Sequence, residues 1–98
     1  MTLNEFYMGI QSASEKAIKK FEAEMHTPGL TYQLSMAKPS PESRYRTRVT
    51  FLFPGTKHVR PVILFSCIVG MRAASQIKAT ANGFFGQIKV GWLRLKEV

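Results

Sequence analysis

The sequence contains no aspartate, and four of its six acidic residues, Glu5, Glu15, Glu22 and Glu24, fall within the first 25 positions. A nucleophile–base–acid arrangement needs an acid placed to orient a histidine, and this chain offers only two histidines. His26 and His58 lie beside the turn sequences Thr27-Pro28-Gly29 and Pro54-Gly55 and read as surface turn residues. The single cysteine, Cys67, excludes a disulfide framework, and no C-x-x-C or H-x₃-H spacing is present to suggest a metal site. One cysteine inside an apolar stretch points to a small hydrophobe in a reducing, cytoplasmic setting. Long hydrophobic runs are also missing. The longest, Val62 to Gly70, is broken by Ser66 and falls far short of the ~20 residues that span a bilayer. The first eight residues contain polar and acidic residues and lack a basic start followed by an apolar stretch, so no secretory leader is expected. Neither G-x-x-x-x-G-K-[ST] nor G-x-G-x-x-G occurs, since Gly83-Phe84-Phe85-Gly86 has the wrong spacing. These absences predict no cofactor, no metal, no membrane partner and no enzymatic activity.

What is present is a folded, basic chain. At 98 residues it forms one domain, and its 45% hydrophobic and 11% aromatic content fits a packed core rather than a disordered tail. The net charge of +8 is unevenly spread. Residues 1–25 hold three lysines against four glutamates, whereas residues 26–98 hold eleven Lys or Arg against Glu42 and Glu97 alone. An excess of nine positive charges over one part of the chain predicts an anionic partner that meets that part.

Thr2 and Glu5 fit a capping box. Apolar residues then recur at Leu3, Phe6, Tyr7, Ile10, Ala13, Ala17, Ile18, Phe21 and Met25, the spacing of one helical face. Thr27-Pro28-Gly29 ends that helix. Residues 30–37 alternate as a half-buried strand with Leu30, Tyr32, Leu34 and Met36 inward. A turn follows at 38–43, and residues 44–53 alternate again with Tyr45, Val49, Phe51 and Phe53 on one side. Val62 to Val69 is apolar at both parities, so a strand covered on both faces is expected. A single helix covers only one face, so a second helix, closure into a barrel or a partner subunit has to cover the other.

Residues 72–82 read two ways. Their alanines favour a short helix closed by Gly83, while Asn82-Gly83 is a hairpin signal; the helix is the preferred reading. Residues 87–96 are expected to form a strand in which a bulge at Gly91 turns Ile88, Val90, Leu93 and Leu95 inward. The expected fold is α+β. An N-terminal amphipathic helix packs on a four- to five-stranded, mostly antiparallel sheet, open or curled into a barrel.

The candidate site follows from this arrangement. Arg44, Arg46 and Arg48 at period two place three guanidinium groups on one strand face, roughly 7 Å from one to the next. The bulged C-terminal strand adds Lys89, Arg94 and Lys96, with Trp92 as a platform on which a base could stack. No helix carries a concentrated basic face of the kind that enters a major groove. The expected function is therefore sequence-tolerant binding of nucleic acid, single-stranded DNA or RNA in preference to duplex. The alternative is a protein–protein assembly or inhibitor module that docks on an acidic protein or forms a homo-dimer.

Overall fold

A computed structural model describes residues 1–36, 38 and 39, and 45–97. Helix α1 spans Leu3–Met25 and shows the Thr2 half of the expected capping box: the Glu5 amide donates to Thr2 Oγ1 at 3.1 Å, while the Glu5 carboxylate accepts from the Thr2 hydroxyl at 3.1 Å. It stops where His26 enters the left-handed region at φ 50°, and Gly29 at φ 94° turns the chain into the sheet. Phe6, Ile10, Ala13, Ala17 and Phe21 line its buried face. Full burial of each large side chain contributes about 1.5–3 kcal/mol. Ser14, buried among them, is satisfied within the helix by donating to the Ile10 carbonyl at 2.7 Å.

Strands β1 (Thr31–Leu34), β3 (Tyr45–Phe53) and β4 (Val62–Val69) form a three-stranded antiparallel sheet with β3 in the centre. The two-residue β2 (Lys38–Pro39) extends the β1 edge by pairing with Arg46 and Tyr45. The sheet is open and smaller than the four to five strands expected. The missing strand is the C-terminal segment, which is helical: a 3₁₀ turn at Ala74–Gln76 leads into α2, Ile77–Lys96.

Three sequence expectations are thereby corrected. The helix expected to stop at Gly83 runs on through Asn82-Gly83, residues 87–96 are not a strand, and Gly91 is not a bulge. The residues themselves supply the reason. Ala81, Phe84, Ile88 and Trp92 recur at helical spacing and all face the core, which gives a better burial pattern than the mixed faces of strict alternation. The bulge exists elsewhere, in β4, where Phe51 pairs with Phe65 and Leu52 with Ile63, leaving Leu64 as the extra residue. Gly91 lies directly over it, and a Cβ at that position would come within 2.2 Å of the Leu64 carbonyl oxygen.

Both helices cover the same face of the sheet. Gly9 of α1 lies against Met71 and Ile77 at the start of α2, and Phe21 meets Trp92 near its end, so the helices run in the same direction. Between helices and sheet, Phe51 contacts Phe84 at 5.1 Å between ring centroids and stacks on Phe65 at 6.3 Å. The strand expected to be covered on both sides is covered on one. Leu64, Phe65, Cys67 and Val69 pack against the core, while Ile63 and Ile68 are 64% and 62% exposed on the other side. The second helix has joined the first rather than closing the far face.

Candidate nucleic-acid interface

The uncovered face is built from the residues that alternate away from the core, and the strand register fixes their neighbours. Thr31, Leu52 and Ile63 form one row across the three strands, Gln33, Thr50 and Ser66 the next, and Arg48 lies beside Ile68. Ser35 completes that third row, since its amide donates to the Arg48 carbonyl at 3.0 Å and its hydroxyl accepts from the Arg48 amide at 2.8 Å. Arg46 follows two residues earlier on β3. Gln33, Ser35, Arg46, Arg48, Ser66 and both isoleucines are exposed, whereas Leu52 is buried.

Hydrogen bonds order the centre of this face. Arg48 Nη1 donates to Ser66 Oγ at 3.2 Å, and the Ser66 and Thr50 hydroxyls lie 3.0 Å apart. One guanidinium is thus anchored through Nη1. Beneath, the buried Thr47 hydroxyl donates to the Ser35 carbonyl at 2.6 Å and ties β1 to β3 where their regular pairing ends. The aromatic residues of these strands turn the other way: Tyr45 packs on Phe6, Tyr32 on Phe51, and Phe53 on Phe21. The open face holds no aromatic side chain among the described residues.

Its electrostatics have one sign. Residues 45–96 contain nine Lys or Arg and no carboxylate. Arg46 and Arg48 lie on the face itself, Lys57 and Arg60 in the β3–β4 connection at one end, and Arg72 just beyond β4 at the other. Arg46 and Arg72 share a shallow recess with Tyr45, Gly70 and Met71. The glutamates belong mainly to α1, on the opposite layer.

The predicted site divides into two groups. Arg46 and Arg48 are together on the sheet, and Arg44 lies outside the described residues. Lys89, Trp92, Arg94 and Lys96 are on α2, in the helical layer, so the shared strand face expected for them does not form. Trp92 is half-buried between Phe21, which it meets edge-on at 6.2 Å, and Phe53 at 5.4 Å, and its indole nitrogen is buried without an acceptor among the described residues. It packs against the core on the helical layer and does not stand on the sheet face. Lys89 pairs with Glu24, and Lys20 lies over the Phe85 ring at 4.7 Å. Lys96 lies over Trp92 at 5.1 Å. Gln33 and Ser35, with Thr50, Lys57, Arg60, Ile63, Ser66, Ile68 and Arg72, were not among the site residues expected from sequence. The first two were visible in the alternation of residues 30–37; Ser66 needed the β3–β4 register.

Among the described residues no three or more His, Cys, Asp or Glu side chains are grouped to hold a metal ion. Burial pushes the Cys67 thiol above its ordinary pKa, partly offset by the nearby Arg48 charge, so the thiol faces the core in its neutral form. Among the same residues, no helix is long and apolar enough to cross a membrane. No protein-family model, curated protein or solved structure matches the chain.

Proposed function

We propose that this protein is a nucleic-acid-binding module that uses the uncovered face of its sheet, and that it binds rather than catalyses. The observation that carries the reading is the pairing of Arg46 and Arg48 on a helix-free face, within a stretch of nine cations and no carboxylate. Neutralising phosphates releases condensed counterions, which makes such a surface attractive to a polyanion and makes the affinity fall with salt. Guanidinium groups suit the task because their planar donor fork meets phosphate oxygens in pairs. Lys57, Arg60 and Arg72 extend the positive surface beyond both ends of β3.

The test is an anisotropy titration of labelled oligonucleotides at several salt concentrations, comparing the protein with Arg46→Glu and Arg48→Glu. Each reversal is expected to lower affinity at every salt and to reduce the slope of log K against log salt by about one contact's worth. Equal affinities and slopes in all three proteins would remove this face from the site.

A second reading has its own observation. Ile63 and Ile68, nearly two-thirds exposed on the same face, suit a protein surface, either an acidic partner or a second copy of this chain. A dimer that persists at high salt, weakened by Ile68→Asp and indifferent to Arg46→Glu, would favour it over nucleic acid.

A further inference from the structure

We infer, on the basis of the nucleic-acid reading above, that the occupant of the sheet face is duplex DNA, with the sheet laid in its major groove. The argument begins with what the face lacks. Binding of a single strand without base preference depends on aromatic rings that stack successive bases, and the aromatic side chains of β1, β3 and β4 point into the core. Trp92, the one candidate platform in the sequence, is held between Phe21 and Phe53 on the far layer. A single strand meeting this surface would gain phosphate contacts and no stacking.

What the face does hold is the set of side chains that reads base edges. Arg pairs with the two acceptors of guanine, Gln with the donor and acceptor of adenine, hydroxyls with either, and apolar groups with the thymine methyl. Arg46, Arg48, Gln33, Ser35, Thr50 and Ser66 supply the first three kinds. Ile63 and Ile68, whose exposure costs contact with water and has no explanation within the chain, supply the last. The Ser66 hydroxyl holds the Arg48 side chain through Nη1 at 3.2 Å, so the reading group is ordered before binding, with Nε and Nη2, unpartnered among the described residues, left for a base.

The dimensions agree. The major groove of B-form DNA, about 12 Å wide and 8.5 Å deep, admits two neighbouring strands, whose axes lie about 4.8 Å apart, so β3 enters with one neighbour while the third strand lies at the groove's edge. No helix stands above the face to block entry. Lys57 and Arg60 beyond one end of β3 and Arg72 beyond the other continue the positive surface in the strand direction, along the path of the groove. Duplex RNA does not fit, because its major groove is deep and too narrow for side chains to read.

The experiment titrates the protein with a labelled DNA duplex pool carrying a randomised centre, with the corresponding single strands and with a duplex RNA, and then selects and sequences the tightest duplexes. Duplex DNA is expected to bind more tightly than the other two, and the selected pool to share a short motif containing guanine. Arg48→Lys keeps the charge but loses the fork, so preference at one guanine should fall about tenfold with the salt slope preserved. Gln33→Ala, at an exposed position that leaves folding intact, should relax preference at a different base. Single strands or RNA bound as tightly as duplex DNA would overturn the inference, as would selection without a motif or full discrimination by both variants. Absence of binding to any of the three probes at low salt would overturn the nucleic-acid reading itself.

Discussion

An ideal Cβ built on Gly91 would stand 2.2 Å from the carbonyl oxygen of Leu64. Leu64 is the bulged residue of β4, and the bulge pushes its backbone toward α2. The helix can lie this close to the sheet only because residue 91 has no side chain.

Replacing Gly91 with alanine should therefore destabilise the fold despite alanine's better helix propensity. Overpacking of about 1–3 kcal/mol, at the high end because the obstructing atom is backbone, outweighs the ~1 kcal/mol gained in the helix. Gly83 and Gly86 lie on the same helix with nothing within 4 Å of their would-be Cβ atoms. Gly83→Ala and Gly86→Ala should each stabilise by up to about 1 kcal/mol, which for a domain of this size raises Tm by roughly 4–8 °C. Thermal unfolding of the three variants checks both signs; a stabilised G91A would mean that the helix and bulge are not in contact.

Trp92 gives a second check. Held between Phe21 and Phe53, its indole should emit at short wavelength in the native state and shift red on unfolding. Saturating oligonucleotide should leave that emission almost unchanged. Strong quenching on binding would place a ligand on the helical layer instead of the sheet.

The Lys89–Glu24 pair joins the two helices at a solvent-exposed position, where ion pairs contribute about 0–1 kcal/mol. Lys89→Ala should thus lower stability only slightly. It should also reduce nucleic-acid affinity less than Arg48→Ala, because it lies on the layer opposite the proposed site. Parallel denaturant and anisotropy titrations of both variants measure the difference.

Alkaline pH should weaken the fold through two groups. Burial raises the Cys67 thiol above its ordinary 9.0. The Tyr32 hydroxyl is raised above 10.0 first by burial and then by the Glu15 carboxylate, to which it donates a hydrogen bond. Each group stays protonated in the folded chain at a pH where the unfolded chain has released its proton. The stability they contribute is complete below the ordinary values and is lost as pH rises through the higher folded ones. Denaturant midpoints should decline as pH passes from about 9 upward, and Cys67→Ser should flatten the first part of that decline.

Local signals made most of the first 69 residues legible. The helical recurrence from Phe6 to Phe21 and the alternation of residues 45–53 each record contact with a single core and hold in the structure, and Thr2 caps the helix through the Glu5 amide. Val62–Val69 was legible as a strand, but its two apolar parities concealed which side would stay open. Met36, placed inward by alternation, is 85% exposed because β1 ends at Leu34. The C-terminal error has a physical origin: β-branched Ile88 and Val90 and a central glycine suit a strand locally, and the requirement that Gly91 satisfies arises from a β4 bulge far away in sequence. The site was half legible for the same reason. Period two on β3 gave Arg46 and Arg48, but assigning Trp92 to a strand moved it from the core to the surface.

The core joins the beginning and the end of the sequence, since Phe21 of α1 meets Trp92 of α2 and Gly9 meets Ile77. The two helices are the first and last elements, and each has its apolar face covered partly by the sheet and partly by the other helix. Such long-range closure must bear its loop entropy before the contacts that offset it are made. Completion of the core is therefore expected to wait for α2. A chain halted before Phe84 would display the inner side of its sheet and the apolar side of α1 together, a sticky intermediate rather than a smaller version of the native domain.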